Sequence, residues 1–264
     1  MVKDLAMNLQ NNEKPIGVLK IKLKGAKYVV TFDEDIEITF TADQMVTYRI
    51  SLDKRFTAEE IETIKKSANF DLWYNKAISH ISYKLRTVKE TRDYLKQKSD
   101  LSTEDQNRII QKLLDNGFLN DYEYALHLME DCKNKNRGVR YFTNQLARLG
   151  VASTIINRVT LEFNEEDILD SLINKYQKEA DCLTKYPIII QKQKLQEKML
   201  RSGLSSSTIR EVLSKLKLDE DYTESFKEDL EKVKKKTTDK NKQINYLLQK
   251  GYPYEYIRKR INEI

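Results

Sequence analysis

Basic side chains with a four-residue spacing are the part of this chain whose chemistry is easiest to define. Arg140, Asn144 and Arg148 fall on one side of a predicted helix, and Arg137 comes just before it. Side chains four residues apart lie on the same helix face. Guanidinium groups bind phosphate and carboxylate oxygens through charge-assisted hydrogen bonds. The pattern therefore predicts a helix with one face available to a polyanion.

Two other predicted helices carry a similar basic face, one near residue 92 and one near residue 198. In the helix near residue 92 the basic residues lie beside Leu85, Val88 and Leu95, so one face can pack while the other meets a polyanion. The candidate binding residues of the three helices are Arg86, Lys89, Arg92, Lys96, Arg137, Arg140, Arg148, Lys194, Lys198 and Arg201. The alternative interpretation is that these charged faces are simply solvated.

Charge alternates in blocks along the 264 residues, which carry a formal net charge of +6. Residues 76–98 hold seven Lys/Arg against two acids, and residues 133–148 hold five against none. Residues 99–132 hold two Lys/Arg against eight acids, and residues 218–231 hold one against seven. The basic surplus favours acidic partners such as nucleic acid. A solvated helical surface rich in lysine would account for the same surplus.

Residues that would build an active site are sparse. The seven glycines are not spaced as a Walker loop, a dinucleotide-binding motif or a GxSxG elbow requires. His80 and His127 are the two histidines, and their distant positions in predicted helices are more typical of packing or surface roles than of a base or ligand. Cys132 and Cys182 form no CxxC pattern. We therefore predict no catalytic residue, no metal ligand and no cofactor.

A repeated helix ending indicates how the basic residues are positioned. Residues 146–151, 199–204 and 247–252 share one template of two apolar residues, two variable residues and a glycine, or a close variant of it. The glycines are Gly150, Gly203 and Gly251, and an isoleucine follows six residues after each. Glycine at such an ending supplies the left-handed conformation that closes a helix. Recurrence at a near-fixed period predicts tandem helical modules that stack into an elongated array.

The N-terminal part has a different pattern. Between residues 16 and 50, apolar and polar residues alternate in three runs separated by turns, which predicts a three-stranded antiparallel β-layer. A small sheet needs a cover, and the helix that begins with the capping box of Thr57 and Glu60 offers one. We predict a mainly α fold with five parts. These are a β-meander plus helix at residues 1–70 and three-helix modules at residues 72–118, 119–164, 165–217 and 218–264.

Targeting signals are not evident. Residues 1–14 are polar, and the longest apolar runs are far shorter than the 18 or so residues that a membrane span needs. We therefore expect no membrane partner and a cytoplasmic location, with the two cysteines reduced.

The order of several motifs resembles the RecX family, the regulatory proteins of the RecA recombinase. Residues 83–95 read YKLRTVKETRDYL, and Gly117, Asp121 and Tyr124 follow at the end of the next helix. The family has a similar Leu-x-x-Arg-x-x-Ser-x-x-Glu helix and a similar Gly-apolar-apolar-x-Asp turn. Gly138 and the ending at residues 146–150 resemble the family's basic-glycine stretch, although valine follows Gly138 where proline is common. The resemblance covers residues 72–217, and residues 1–70 are like the β-rich extension of longer members.

The resemblance implies a non-enzymatic regulator of recombination, DNA repair and the SOS response. Such a protein would bind the groove of the RecA filament on single- or double-stranded DNA and mainly inhibit its ATPase and strand-exchange activities. Basic helix faces suit phosphates, and acidic segments suit basic protein surfaces. A general nucleic-acid-binding helical repeat, a protein-only scaffold and an enzyme remain the alternatives.

Overall fold

The computed structural model describes residues 15–219 and 221–261. The predicted polar N-terminal segment therefore lies outside the described residues, as do Glu220 and residues 262–264. The chain divides into two compact units, Met1–Asn120 and Asp121–Ile264. The predicted class is confirmed: the chain is mainly helical, with tandem three-helix modules and a small antiparallel β-layer at the N-terminal end.

The β-layer contains four strands where the sequence pattern predicts three. They are β1 (Ile16–Lys24), β2 (Lys27–Phe32), β3 (Glu37–Phe40) and β4 (Arg55–Phe56), in the spatial order β3-β2-β1-β4. All neighbouring strands are antiparallel. Strand β4 is only two residues long and pairs with the first two residues of β1. A strand of two residues is too short to show an alternation of apolar and polar residues. Its pairing therefore depends on the rest of the fold.

One face of the sheet forms the first hydrophobic core. Val30 and Phe32 of β2 and Ile38 and Phe40 of β3 point inward at alternate positions and are buried. A short helix, α1 (Ala42–Thr47), follows the sheet. The first half of the next helix then covers the apolar face through the buried side chains of Ile61, Ile64 and Ala68.

That next helix, α2 (Ala58–Tyr83), is continuous for 26 residues. It begins with the predicted capping box, in which Thr57 and Glu60 each accept a hydrogen bond from the other's backbone N–H. No glycine or proline interrupts the sequence from 58 to 83. Residue 71, where the predicted β-meander part meets the first predicted module, lies inside this helix. The second half of α2 packs with α3 (Val88–Lys98) and α4 (Thr103–Asp115) around a separate core.

The second unit contains three further groups of three helices. The first group is α5 (Asp121–Asn134), α6 (Val139–Arg148) and α7 (Ser153–Glu162). A 3-10 turn (Glu165–Ile168) leads into the second group, which is α8 (Leu169–Asp181), α9 (Ile188–Arg201) and α10 (Ser206–Lys215). The third group is α11 (Thr223–Lys234), α12 (Lys240–Gln249) and α13 (Tyr254–Arg260). Each group surrounds its own cluster of buried apolar side chains.

The repeated glycines end helices α6, α9 and α12 as predicted. Gly150, Gly203 and Gly251 have φ values of 75°, 78° and 88°, all in the left-handed region that favours glycine. In each case the chain reverses within a few residues and starts the third helix of its group. Within the described residues, none of the helices is both long enough and apolar enough to cross a bilayer.

Candidate polyanion-binding surface

Arginines from two modules of the second unit line one surface groove. The groove has a volume of about 610 Å³ and lies between α6 and the C-terminal end of α9. Arg140, Asn144 and Arg148 contribute from α6, and Arg201 contributes from α9. The side chains of these four residues are exposed. On the opposite side of α6, Phe142 and Leu146 are fully buried, as the sequence pattern predicts.

Backbone hydrogen bonds hold these two helices together end to end. The Gly138 N–H donates to the Ser202 carbonyl oxygen at 2.9 Å, and the Arg140 N–H donates to the Gly203 carbonyl oxygen at 3.0 Å. The first N–H groups of a helix and the last carbonyl groups of another have no partners within their own helices. At this junction, hereafter the α6–α9 junction, each set satisfies the other. Arg140 and Arg201 are thereby brought to the same groove.

A buried carboxylate secures the α6–α9 junction from a third position. Glu165 is only 7% exposed, and its Oε1 accepts a hydrogen bond from the Val139 N–H at 2.9 Å. Its Oε2 accepts from the Ser205 N–H at 3.0 Å. Both N–H groups belong to helix starts, where a negative charge is favourable. Glu165 therefore links the beginning of α6 to the beginning of α10.

The junction leaves no space for side chains at its two glycines. A Cβ on Gly138 would collide with the Gly203 carbonyl oxygen and the Leu204 backbone. A Cβ on Gly203 would lie 2.6 Å from the Cβ of Tyr141. The guanidinium of Arg137 lies over the Tyr141 ring, 4.8 Å from its centroid. Arg137 is therefore held against the junction by a cation–π contact.

The basic residues of α9 differ in what surrounds them. Lys198 forms an ion pair with Glu179 of α8, with 2.8 Å between Nζ and Oε2. Lys194 lies over the Tyr186 ring at 4.6 Å. The Arg201 side chain is 75% exposed and makes a long contact of 3.6 Å with Glu197. Among Lys194, Lys198 and Arg201, Arg201 is thus the one that lines the groove.

The remaining candidates lie in the first unit, on and beside α3. Lys89, Arg92 and Lys96 are exposed, whereas Thr91 and Leu95 of the same helix are buried. Arg86 precedes the helix and is half-buried, and its Nη1 pairs with Glu90 Oε1 at 3.2 Å. Glu90 is also the capping-box partner of Thr87. The guanidinium of Arg86 therefore helps to fix the start of α3.

The two histidines and the two cysteines occupy unrelated positions. The His80 ring stacks on Tyr94 with centroids 4.0 Å apart, and desolvation, with a contribution from the Arg86 charge, lowers its pKa. Burial raises the pKa of the Cys132 thiol to about 11, while Cys182 is exposed. Among the described residues, no group of three His, Cys, Asp or Glu side chains is arranged to hold a metal ion.

Sequence reasoning missed two residues of the α6–α9 junction. Glu165 lies in the acidic run 165–167, where nothing in the local pattern separates it from its exposed neighbours Glu166 and Asp167. Tyr141 interrupts the basic face between Arg140 and Asn144, and its contact with Gly203 requires the packing of two modules. The local signals at this junction are its two glycines: Gly203, in the recurring helix ending, and Gly138.

Comparison with known proteins identifies relatives along most of the chain, although no family model matches it. Regulatory protein RecX of Staphylococcus aureus strain JH9 is 27% identical over 248 residues, which is 90% of each chain. The protein of the same name from strain Newman has the same identity and coverage.

Two solved structures resemble this fold. A crystal structure of regulatory protein RecX has a TM-score of 0.62 and 19% identity, and the match covers 76% of this chain and 100% of that one. RecX from Lactobacillus salivarius has a TM-score of 0.53 and 23% identity, with coverage of 57% and 97%. At these identities the likeness concerns the fold alone. This chain is thus similar along nine-tenths of its length to proteins named regulatory protein RecX, and it shares the fold of two solved RecX structures.

Proposed function

We propose that this protein is a non-enzymatic regulator of the RecA recombinase that binds the recombinase filament on DNA. The observation that carries this proposal is the groove at the α6–α9 junction, where Arg140, Arg148 and Arg201 come together from two modules. Guanidinium groups are well suited to phosphate oxygens because their planar donors bind in pairs. The partners are the filament and its DNA, the location is the cytoplasm, and the main effect is inhibition of ATP hydrolysis and strand exchange.

The geometry supports recognition of an extended object. The two helices that line the groove, α6 and α9, are joined by backbone hydrogen bonds, and Glu165 ties the start of α6 to the start of α10, so the backbone positions of the arginines are fixed. A fixed backbone arrangement lowers the entropy that is lost on binding. The acidic segment around α11 is of the opposite sign and suits basic protein surfaces. A protein with both kinds of surface can contact DNA and recombinase together.

The test is a RecA ATPase assay on single-stranded DNA with and without this protein, combined with filament-binding measurements. We expect inhibition by the wild type and tighter binding to RecA-coated DNA than to naked DNA. The double variant Arg140→Glu/Arg148→Glu should weaken filament binding and lower the salt slope by about 1 for each lost phosphate contact. Its stability should change by less than about 0.5 kcal/mol per site, because both side chains are exposed.

The control is Lys192→Glu/Lys242→Glu, which reverses two exposed charges of the same unit at positions that do not line the groove. We expect this control to bind the filament as the wild type does. Unchanged filament binding by a folded Arg140→Glu/Arg148→Glu protein would refute the role of the groove. Equal wild-type affinity for naked and coated DNA would favour a general nucleic-acid-binding repeat. No DNA or filament affinity would favour a protein-only scaffold.

Regulation should need neither histidine. His80 stacks on Tyr94 and His127 is exposed, and neither lines the groove. The variant His80→Ala/His127→Ala should therefore inhibit the recombinase ATPase to the same extent as the wild type, provided that it is folded. Chelators should leave inhibition by this protein unchanged when the nucleotide's own Mg²⁺ is kept in excess.

A further inference from the structure

The outward side of the N-terminal sheet carries a row of lysines. Lys20, Lys22 and Lys24 occupy alternate positions of β1; Ile21 between them packs toward the core, whereas Leu23 is exposed. Lys27 opens β2 directly opposite Lys24. Residues 16–32 contain these four lysines and no acid. Outward residues of one strand lie about 7 Å apart. We call Lys20, Lys22, Lys24 and Lys27 the lysine face.

The lysine face is not neutralised within the unit. Among the described residues, none of its four members forms an ion pair. Lys24 and Lys27 are cross-strand partners, and like charges in that relation reduce stability. A cost of this kind is expected where the charges serve an external partner.

Protection of a free sheet edge does not explain all four positions. Lysines on edge strands prevent sheets from pairing with one another. Strand β1 has such an edge, because β4 pairs only with Ile16 and Gly17. Strand β2, however, has a neighbour on each side, and Lys27 lies on it. An attractive role for the whole row accounts for Lys27 as well.

The lysine face continues into the basic helix of the same unit. Lys27 lines a shallow groove together with Lys76 and His80 of α2 and Tyr94 of α3. His80 and Tyr94 also line a neighbouring groove, whose charged residues are Arg86, Lys96, Glu90 and Asp93. Lys27 of the sheet and Lys96 of α3 thus border two adjoining grooves.

We propose that the lysine face is a second nucleic-acid-binding surface, which takes the phosphate backbone of a DNA strand. This inference deepens the proposed function, because it assigns the β-layer a contact with the DNA of the same complex. Regularly spaced ammonium groups neutralise successive phosphates without reading bases. DNA is preferred to an anionic membrane because the proposed function already places this protein on a DNA filament. Since Leu19 and Leu23 are exposed on the same strand, the vesicle measurement below tests the membrane.

The experiment measures binding of the full chain to a fluorescent single-stranded oligonucleotide, to the corresponding duplex and to phosphatidylserine vesicles. The first variant, Lys20→Glu/Lys22→Glu, reverses two charges. The second, Lys20→Thr/Lys22→Thr, removes them with a residue that favours strands. Lys65→Glu/Lys66→Glu is the matched control, since it reverses two exposed lysines of α2 in the same unit. Thermal unfolding checks that each protein is folded.

We expect Lys20→Glu/Lys22→Glu to weaken oligonucleotide binding about tenfold or more at 0.1 M salt and to lower the single-strand salt slope by about 1.4. The threonine pair should act in the same direction, and the control should bind as the wild type does. Unchanged binding by both folded variants would overturn the inference. So would an equal loss in the control, or vesicle binding in the absence of DNA binding.

The same measurements separate this inference from the proposed function. If Arg140→Glu/Arg148→Glu abolishes regulation of the recombinase while Lys20→Glu/Lys22→Glu leaves all DNA binding intact, the inference fails and the proposed function stands. If the wild type binds DNA through the lysine face but does not affect the recombinase, the proposed function fails and the inference stands.

Discussion

Gly138 and Gly203 lie backbone to backbone at the α6–α9 junction, where neither has space for a Cβ atom. The contact joins the start of α6 to the end of α9 and brings Arg140 and Arg201 to one groove. The two glycines therefore determine how closely the group α5–α7 approaches the group α8–α10.

Replacement of Gly203 by alanine should be far more costly than replacement of a glycine with the same backbone conformation in open space. Gly203→Ala places a residue with a Cβ at φ 78° and against Tyr141, so we expect a loss of about 2–4 kcal/mol. Gly117→Ala is the matched control, because Gly117 has φ 72° and no atom near its Cβ position. It should cost about 1 kcal/mol. Urea unfolding measures both, and equal losses would contradict the close contact.

Removal of the Glu165 carboxylate should destabilise the second unit. Glu165→Ala leaves the buried N–H groups of Val139 and Ser205 without their acceptor, which should cost about 2–3 kcal/mol. Glu165→Gln keeps one acceptor oxygen and should cost less. Glu166→Ala, at the exposed neighbouring position, should change the unfolding free energy by under about 0.5 kcal/mol. Denaturant unfolding of the three variants would refute the bridging role if Glu165→Ala matched Glu166→Ala.

Two basic residues of α9 should differ in their contribution to filament binding. Arg201→Ala removes a guanidinium from the groove and should lower the salt slope by about 1. Lys198→Ala removes an ammonium that is already paired with Glu179 and should leave the slope unchanged. Filament affinity measured at several salt concentrations distinguishes them. A larger effect of Lys198→Ala would mean that the ion pair opens on binding.

The two thiols should react at very different rates. Because burial raises the Cys132 pKa to about 11, only about one Cys132 thiol in a thousand is ionised at pH 8. Cys182 is exposed. A chromogenic disulfide reagent at pH 8 should therefore modify one thiol quickly in the folded protein and the second only on unfolding. In Cys182→Ser the rapid phase should disappear, and its persistence would show that Cys132 is accessible.

Local sequence determined the elements and many of their ends. The capping boxes at Thr57 and Thr87 and the left-handed glycines Gly150, Gly203 and Gly251 act within a few residues, so the pattern alone predicts them. The apolar stripe of α6 likewise predicts its buried face, because helical periodicity is fixed by backbone geometry.

Only the tertiary structure decided which of the basic residues meet. The sequence pattern does not distinguish Arg86, Lys198 and Arg201. In the structure, Arg86 pairs with Glu90 and Lys198 pairs with Glu179. Arg201 lines the groove with Arg140. Glu165 acquires its role in the same way, from N–H groups that are 26 and 40 residues away along the chain. Such contacts depend on how separate modules pack against each other. The local periodicity of apolar residues does not predict that packing.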